Sequence, residues 1–226
     1  MRTLVISLIF LIFGNLFFPI GGGYPHREIS FSPFSDDACL LLYEQMNLSG
    51  LIQFNAFKAA FTGYKKLNNN NSILTVIDFS LPSTQKRMYV LDIKHKKLCY
   101  ISYVTHGRNS GDNYATSFSN RNGSHQSSLG FYRTGATYQG GNGYSLLLEG
   151  LEEGINDEAR SRAIVVHGAD YCSEQVIRSV GRLGRSHGCP ALPRELAKPI
   201  IDTIKGGSLL FIYADRTDYP AMSEIV

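Results

Sequence analysis

Two short stretches carry most of the information on fold and chemistry in this sequence: Ala163-Ile164-Val165-Val166-His167-Gly168 and Ser186-His187-Gly188-Cys189. The first begins with a continuous apolar run rich in β-branched residues. This run predicts a buried strand, with His167 where the strand ends and a glycine turn begins. The second stretch joins a thiol to an imidazole and a glycine. A thiol, two imidazoles and a glycine are the parts that cysteine-based acyl transfer requires.

Cys189 is the candidate nucleophile of such a reaction. A free thiol has a pKa of about 8.5 and is mostly protonated near neutral pH, so it needs a base beside it. His167 suits that role because it lies at the end of its strand. His187 lies only two residues before the thiol, where an extended backbone would point both side chains to one face. We therefore assign His187 a supporting role.

The glycine before the cysteine has a predicted role of its own. Gly188 and the backbone N–H of Cys189 can form an oxyanion hole, because glycine permits the unusual dihedral angles and close approach that such donors need. Pro190 follows directly and biases Cys189 towards extended backbone.

The N-terminus has the outline of an export signal. Met1-Arg2 gives a short positive region, and residues 4–20 are almost wholly apolar before Gly21-Gly22-Gly23. We interpret residues 1–23 as a signal peptide. An uncleaved anchor stays open as an alternative, because no clear small-x-small cleavage site follows, and it would attach the protein to the membrane. Both interpretations place the rest of the chain outside the cytoplasmic membrane, in the periplasm or cell envelope.

Residues 24–72 are predicted to be a helical N-terminal region. Asp36-Asp37 can cap a helix that continues to Met46. A second helix with one buried face is indicated by aromatic residues at three- and four-residue steps, which are Phe54, Phe57, Phe61 and Tyr64. The asparagine run at residues 68–71 marks a loop into the next region.

Residues 73–226 predict a mainly β domain with flanking helices, an α+β fold. Runs of β-branched and aromatic residues predict strands at 74–79, 88–93, 98–104, 144–148, 163–166 and 208–213. The second and third runs flank a polar turn, which is typical of a hairpin. We predict a helix over residues 193–205 that is interrupted or kinked at Pro199 and ended by Gly206-Gly207. Residues 107–143 are rich in Gly, Ser and Asn and predict a long loop, for which we favour a substrate-binding role.

Composition agrees with one catalytic domain. A chain of 226 residues with 43% hydrophobic content can bury one good-sized core. The formal net charge is only +3 and there is no block of Lys and Arg, so the electrostatic footprint of a nucleic-acid partner is absent.

At these residues the chain resembles the L,D-transpeptidase (YkuD-like) catalytic domains of bacterial cell-wall synthesis, and among them the murein L,D-transpeptidase catalytic domain proteins. His167-Gly168 and Ser186-His187-Gly188-Cys189 carry the resemblance. It extends to Thr105-His106-Gly107, Phe118-Ser119-Asn120 and residues 127–132 and 188–191, and so covers roughly residues 50–214.

The resemblance implies a mixed β-sandwich in which Cys189 attacks an acyl carbonyl, His167 is the base and the Gly168 carbonyl orients His167. The backbone of residues 187–189 would hold the oxyanion. The candidate catalytic set is therefore Cys189, His167, His187, Gly188, Gly168 and Ser186. The implied activity is that of an exported cysteine peptidyltransferase that acts on peptidoglycan stem peptides and needs no cofactor or metal. The same acyl-enzyme leaves two alternatives open: water as the acceptor gives an L,D-carboxypeptidase, and a protein amine as the acceptor gives a wall-anchored protein.

Two departures from the family pattern matter. His167 and Cys189 are 22 positions apart, a few more than is common in the family, which implies a longer loop over the active site. Pro190-Ala191 replaces the usual apolar residue followed by Asn or Arg. A contact that this Asn or Arg makes with the stem peptide therefore does not transfer to this chain.

The other cysteines and histidines leave alternatives open. Cys39 and Cys99 are either a disulfide or two reduced core residues. Cys172 lies five positions after His167, so we expect it near the active site, where oxidation to Cys189 would inactivate the enzyme. His106 either lines the cleft or lies in a solvated loop. The histidines expected at the surface are His26, His95 and His125.

Two other classes of function compete with an enzyme. His167, Cys172, His187 and Cys189 supply the two imidazoles and two thiols that a structural zinc site uses. Their irregular spacing, His-x4-Cys and His-x-Cys, argues against a zinc-binding module. A catalytically inactive wall-binding module is the third interpretation, and the intact Cys-His pair argues against it.

Overall fold

The computed structural model describes residues 36–226. The predicted signal or anchor at residues 1–23 and His26 lie outside the described residues. Within the described range, no helix is both long enough and apolar enough to cross a membrane.

Short helices flank a set of eight strands in the described chain. The helices are α1 (Asp36–Gln45), α2 (Phe54–Lys66), a 3-10 turn (Asp157–Ala159), α3 (Glu174–Val180), α4 (Arg194–Ile204) and α5 (Tyr219–Met222). The strands are β1 (Ile73–Asp78), β2 (Met88–Asp92), β3 (Lys97–Ser102), β4 (Gly130–Gly140), β5 (Gly143–Gly150), β6 (Val165–Gly168), β7 (Ala191–Leu192) and β8 (Leu209–Tyr213).

These eight strands form one mixed sheet in the order β3-β2-β1-β8-β4-β5-β6-β7. β8 pairs in parallel with β1 and antiparallel with β4, so it joins the two halves of the sheet. Four of its five residues are buried, which suits a strand covered on both faces. A strand-rich sheet with flanking helices is the α+β class that the sequence predicts, and the 88–102 hairpin forms as antiparallel β2 and β3.

The predicted aromatic face of α2 packs into the core of its own domain. Phe57 is fully buried and stacks on Phe61 at 5.8 Å between ring centroids. Gly63 lets the helix approach the sheet, because a Cβ at that position would lie 2.1 Å from the ring of Phe131. Phe131 in turn stacks on Phe211 of β8 at 4.3 Å. Burying one such aromatic side chain stabilises the fold by about 1.5–3 kcal/mol.

The prediction of a loop over residues 107–143 is wrong for its last part, where the structure contains β4. Three glycines and several exposed polar residues give this strand a weak sequence pattern. Its first residues are nevertheless buried, and Gly130 to Arg133 pair with β8. Pairing with a buried neighbour overrides the local propensity of the sequence here.

Two other boundaries differ from the prediction. α4 continues through Pro199 without interruption, and the hydroxyl of Thr203 donates to the Pro199 carbonyl in the following turn. The strand predicted from residue 163 begins only at Val165, because Ala163 has a φ of +53°, which no strand residue adopts. The helix does end as predicted, since Gly206 and Gly207 follow it with positive φ.

All four cysteines are free thiols. Cys39 is buried on α1 and Cys99 is partly buried on β3, so of the two alternatives the structure contains the reduced residues.

A buried carboxylate ties the start of β4 to the last helix. Glu152 accepts hydrogen bonds from the backbone N–H of Phe131 at 2.6 Å, from the hydroxyl of Tyr219 at 2.9 Å and from the hydroxyl of Ser223 at 2.5 Å. All three partners are donors, so the site requires a group that only accepts. A glutamine presents an N–H₂ donor in place of one of these oxygens.

We therefore expect Glu152→Gln to lower the free energy of unfolding by about 1–3 kcal/mol, because at least one buried donor loses its acceptor. The adjacent Glu153 is exposed, and Glu153→Gln should change stability by less than about 0.5 kcal/mol. Urea unfolding of both variants beside the wild type measures the difference. Equal midpoints would contradict the assigned role of Glu152.

Candidate active site

The four residues 186–189, called the cysteine turn below, are held by their own serine. The Ser186 hydroxyl accepts from the backbone N–H of Gly188 at 3.0 Å and donates to the carbonyl of Cys189 at 2.6 Å. Gly188 has a φ of +126°, and a Cβ there would lie 2.8 Å from the carbonyl oxygen of Gln126. Only glycine can adopt this positive φ and also leave room for the Gln126 carbonyl.

Two neighbouring segments fix the cysteine turn in the fold. Ser186 donates its N–H to the carbonyl of His106 at 3.0 Å and accepts from the N–H of Arg108 at 2.8 Å. On the other side, the hydroxyl of Ser127 donates to the carbonyl of Gly188 at 3.1 Å. The cysteine is thus presented by a turn whose backbone is hydrogen-bonded on both sides.

His167 lies on β6, next to the strand that follows the cysteine turn. It pairs with Ala191 of β7 in parallel register and is almost fully buried, at 4% exposure. Its Nδ1 is 3.0 Å from the carbonyl oxygen of Gly168, so Nδ1 carries the proton and Nε2 has the free lone pair. Gly168 also allows close packing, since a Cβ there would lie 3.0 Å from the Cβ of Ala197 on α4.

Burial sets the charge of His167. It lowers the pKa of the imidazole below 6.5, against the opposing effect of the Gly168 carbonyl, and the Arg194 guanidinium lowers it further. The ring is therefore neutral near pH 7 and can accept a proton at Nε2.

Cys189 is partly buried, and its thiol contacts the segment just before β6. The Sγ donates to the carbonyl of Ala163 at 3.7 Å. Burial raises the pKa of this thiol, whereas the backbone N–H of Val165 and the Arg162 guanidinium lower it. The resting site therefore contains a neutral thiol and a neutral imidazole, with the thiol proton directed at a backbone carbonyl.

His187 lies at the exposed rim of the cysteine turn. Its ring stacks on that of His125 at 4.4 Å, and Nδ1 of His125 is 2.8 Å from Nη2 of Arg108. His125, which we expected at the surface, is thus part of this rim. The contact between the two rings joins residues that are 62 positions apart, and no local pattern in the sequence reveals it.

His106 neither lines an open cleft nor lies in a solvated loop. It is fully buried, with Nδ1 2.7 Å from Nη2 of Arg87. Burial and the nearby guanidinium lower its pKa to about 3. Arg87 is itself fully buried and donates to the carbonyls of Val104 and Leu81. No motif in the sequence points to Arg87 or to Arg162.

The four residues of the zinc interpretation do not form a cluster. Cys172 is fully buried, His187 is exposed, and in residues 36–226 no group of three or more His, Cys, Asp or Glu side chains is arranged to hold a metal ion. Burial raises the pKa of the Cys172 thiol. It is an inert core thiol in this structure.

Solved structures similar to this chain are L,D-transpeptidases at low identity. One from Mycobacterium smegmatis is 16% identical with a TM-score of 0.38, and the match covers 63% of this chain and 59% of that one. One from Mycobacterium tuberculosis is 17% identical with a TM-score of 0.35, covering 63% and 57%. A fragment from Xylanimonas cellulosilytica is 11% identical with a TM-score of 0.36, covering 79% and 94%. The chain thus spans about three fifths of the length of the two mycobacterial chains.

Among curated proteins, no significant match was found. The sequence model of the L,D-transpeptidase catalytic domain, however, matches residues 49–213. This range is more than half of the chain and contains both the cysteine turn and His167. The chain therefore belongs to the L,D-transpeptidase catalytic domain family.

Proposed function

We propose that this protein is an exported cysteine peptidyltransferase that acts on peptidoglycan stem peptides. The observation that supports this most is the Cys189 thiol, which is presented on a fixed glycine turn beside a strand that ends in a neutral, oriented imidazole. Membership of the L,D-transpeptidase family supports this choice of substrate class. Export rests on the N-terminal sequence alone.

The first half-reaction forms a thioester. Cys189 rotates away from the Ala163 carbonyl, His167 Nε2 takes the thiol proton, and Sγ attacks the carbonyl on the L-centre side of an L,D peptide bond in a donor tetrapeptide. His167 then returns the proton to the leaving amine as the C–N bond breaks, and terminal D-Ala departs.

The oxyanion of this step needs a backbone donor. Gly188 donates its N–H to Ser186 in the resting structure, so we assign the oxyanion to the N–H of Cys189. Gly188 serves instead through its positive φ, which shapes the turn. Ser186 and His187 support the turn and its rim, whereas Gly168 orients the base.

The second half-reaction transfers the acyl group to an amine of a neighbouring stem, with His167 accepting the amine proton. The thioester bond breaks and an amide bond forms, which yields a cross-link. Water in place of the amine gives the L,D-carboxypeptidase alternative. Both outcomes share the acyl-enzyme, so the acceptor distinguishes them.

Cys189→Ala should abolish D-Ala release and cross-link formation while leaving the fold intact, because only the thiol can form the thioester. Cys99→Ala should keep the wild-type rate, since Cys99 lies on β3 at the far edge of the sheet from β7. Mass spectrometry of the products from disaccharide-tetrapeptides measures both reactions. Turnover by the Cys189 variant would refute the assignment.

The same product assay identifies the acceptor in the wild type. Dimers linked between two stems indicate transpeptidation, and tripeptides without dimers indicate the carboxypeptidase. Neither product from a folded wild-type protein would favour the inactive wall-binding module.

The pH dependence tests the base. Because the pKa of His167 is lowered, the imidazole gains a proton only below pH 6.5, and kcat/KM should fall as the pH drops through that lowered value. His167→Gln should remove this fall of kcat/KM at low pH and reduce kcat/KM by about 10²–10⁴-fold. His187→Gln should keep the fall of kcat/KM at low pH, since the ring of His187 lies at the exposed rim.

Alkylation of Cys189 by iodoacetamide checks the resting protonation state. A neutral thiol with a raised pKa predicts a rate that climbs steadily between pH 5 and 8. A plateau over this range would show a preformed thiolate–imidazolium pair and would contradict the neutral resting state.

A further inference from the structure

Arg162 makes an unusual set of contacts for a charged side chain next to a reactive cysteine. Its Nη1 donates to the carbonyl of Ser119 at 2.7 Å and lies 3.4 Å from the hydroxyl of Ser128. Its Nη2 donates to the carbonyl of Gln126 at 2.5 Å and lies 3.3 Å from the hydroxyl of Ser124. All four acceptors are neutral groups in residues 119–128, called the serine-rich loop below.

The serine-rich loop in turn rests on the cysteine turn. A Cβ at Gly188 would lie 2.8 Å from the Gln126 carbonyl oxygen and 3.4 Å from Nη2 of Arg162. The hydroxyl of Ser127 donates to the Gly188 carbonyl and accepts from the N–H of Gly107 at 3.0 Å. Arg162 is thus the charged group that fastens the loop where the loop meets the cysteine.

The charge of Arg162 also acts on the thiol. The guanidinium favours the thiolate of Cys189, against the effect of burial. Among the described ion pairs, no carboxylate is paired with Arg162, so its positive charge is not neutralised locally. Partial burial lowers the pKa of the guanidinium itself, but an arginine stays charged at any physiological pH.

We propose that Arg162 is a positioning residue of the cysteine site, which clamps the serine-rich loop onto the Gly188 backbone and supplies the positive charge that favours the reacting thiolate. The proposal deepens the proposed function and rests on it, since a thiolate is needed only if Cys189 is the nucleophile. Its two parts are separable, because a lysine keeps the charge and loses the planar fork that reaches several acceptors at once.

The test compares Arg162→Met and Arg162→Lys with a matched control. Arg160 lies two positions earlier, is exposed and pairs with Glu149 at 3.2 Å, so Arg160→Met removes an arginine from the same segment without touching the serine-rich loop. The readouts are the pH profile of Cys189 alkylation, mapped by peptide mass in a Cys99→Ser background, and backbone amide exchange of residues 119–128.

Arg162→Met should slow alkylation at pH 7 by up to about tenfold, because the thiol pKa rises when the guanidinium charge is lost, and should speed amide exchange in the serine-rich loop. Arg162→Lys should keep an alkylation profile close to that of the wild type and still speed the exchange. Arg160→Met should match the wild type in both measurements.

An alkylation profile of Arg162→Met that superimposes on that of Arg160→Met would overturn the electrostatic part. Loop exchange that is unchanged in Arg162→Lys would overturn the clamp, and this variant decides the proposal if Arg162→Met does not fold. Neither readout needs a cell-wall substrate. A wild-type protein without transpeptidase activity would therefore refute the proposed function and leave the role of Arg162 to be judged on the thiol alone.

Discussion

The close approach of backbone to backbone at Gly188 is the constraint on which the site depends. The carbonyl of Gln126 lies where a Cβ would have to be, so the serine-rich loop can rest on the cysteine turn only if residue 188 has no side chain. That contact, with the hydrogen bonds that join Ser186 to residues 106 and 108, fixes the proposed nucleophile, which belongs to no strand or helix. A reactive group on a turn normally has conformational freedom that would have to be lost before reaction. Here the backbone has lost it already, and only the thiol side chain has to rotate.

The electrostatics of the site come from arginines more than from carboxylates. Arg162 is bonded to neutral acceptors beside the cysteine turn, and Arg87 lies fully buried against His106 with its pKa lowered to about 9 by burial. Arg87 donates to backbone carbonyls and to His106, and its guanidinium lies 4.7 Å from the centre of the Phe79 ring. Such a group is tolerated in a core because its donors are satisfied and its flat face packs on an aromatic ring.

Much of the fold could be predicted from the sequence, and the failures have physical causes. The aromatic steps of α2 and the apolar runs of β1, β2, β5 and β8 are strong local patterns, and the structure contains these elements close to the predicted bounds. β4 was missed because its conformation is imposed by pairing with β8, more than seventy positions away. In the site, the motif residues identify the thiol and the imidazoles, but Arg162 and His125 enter through contacts between distant segments. The side-chain direction of His187, towards the exposed rim, likewise follows from the turn and not from its spacing to Cys189.

The position of β8 has a consequence for how the protein acquires its structure. Of the eight strands in residues 36–226, β8 is the last in sequence, yet it lies between β1 and β4 and is the strand that pairs with both halves of the sheet. Leu74 pairs with Leu209 across 135 positions of chain, so closing this pair confines a very long loop. Contacts of this kind slow folding, and until they form, the inner edges of both half-sheets remain open to other strands. Strand β8 therefore has to arrive before either half of the sheet is protected against pairing with another chain.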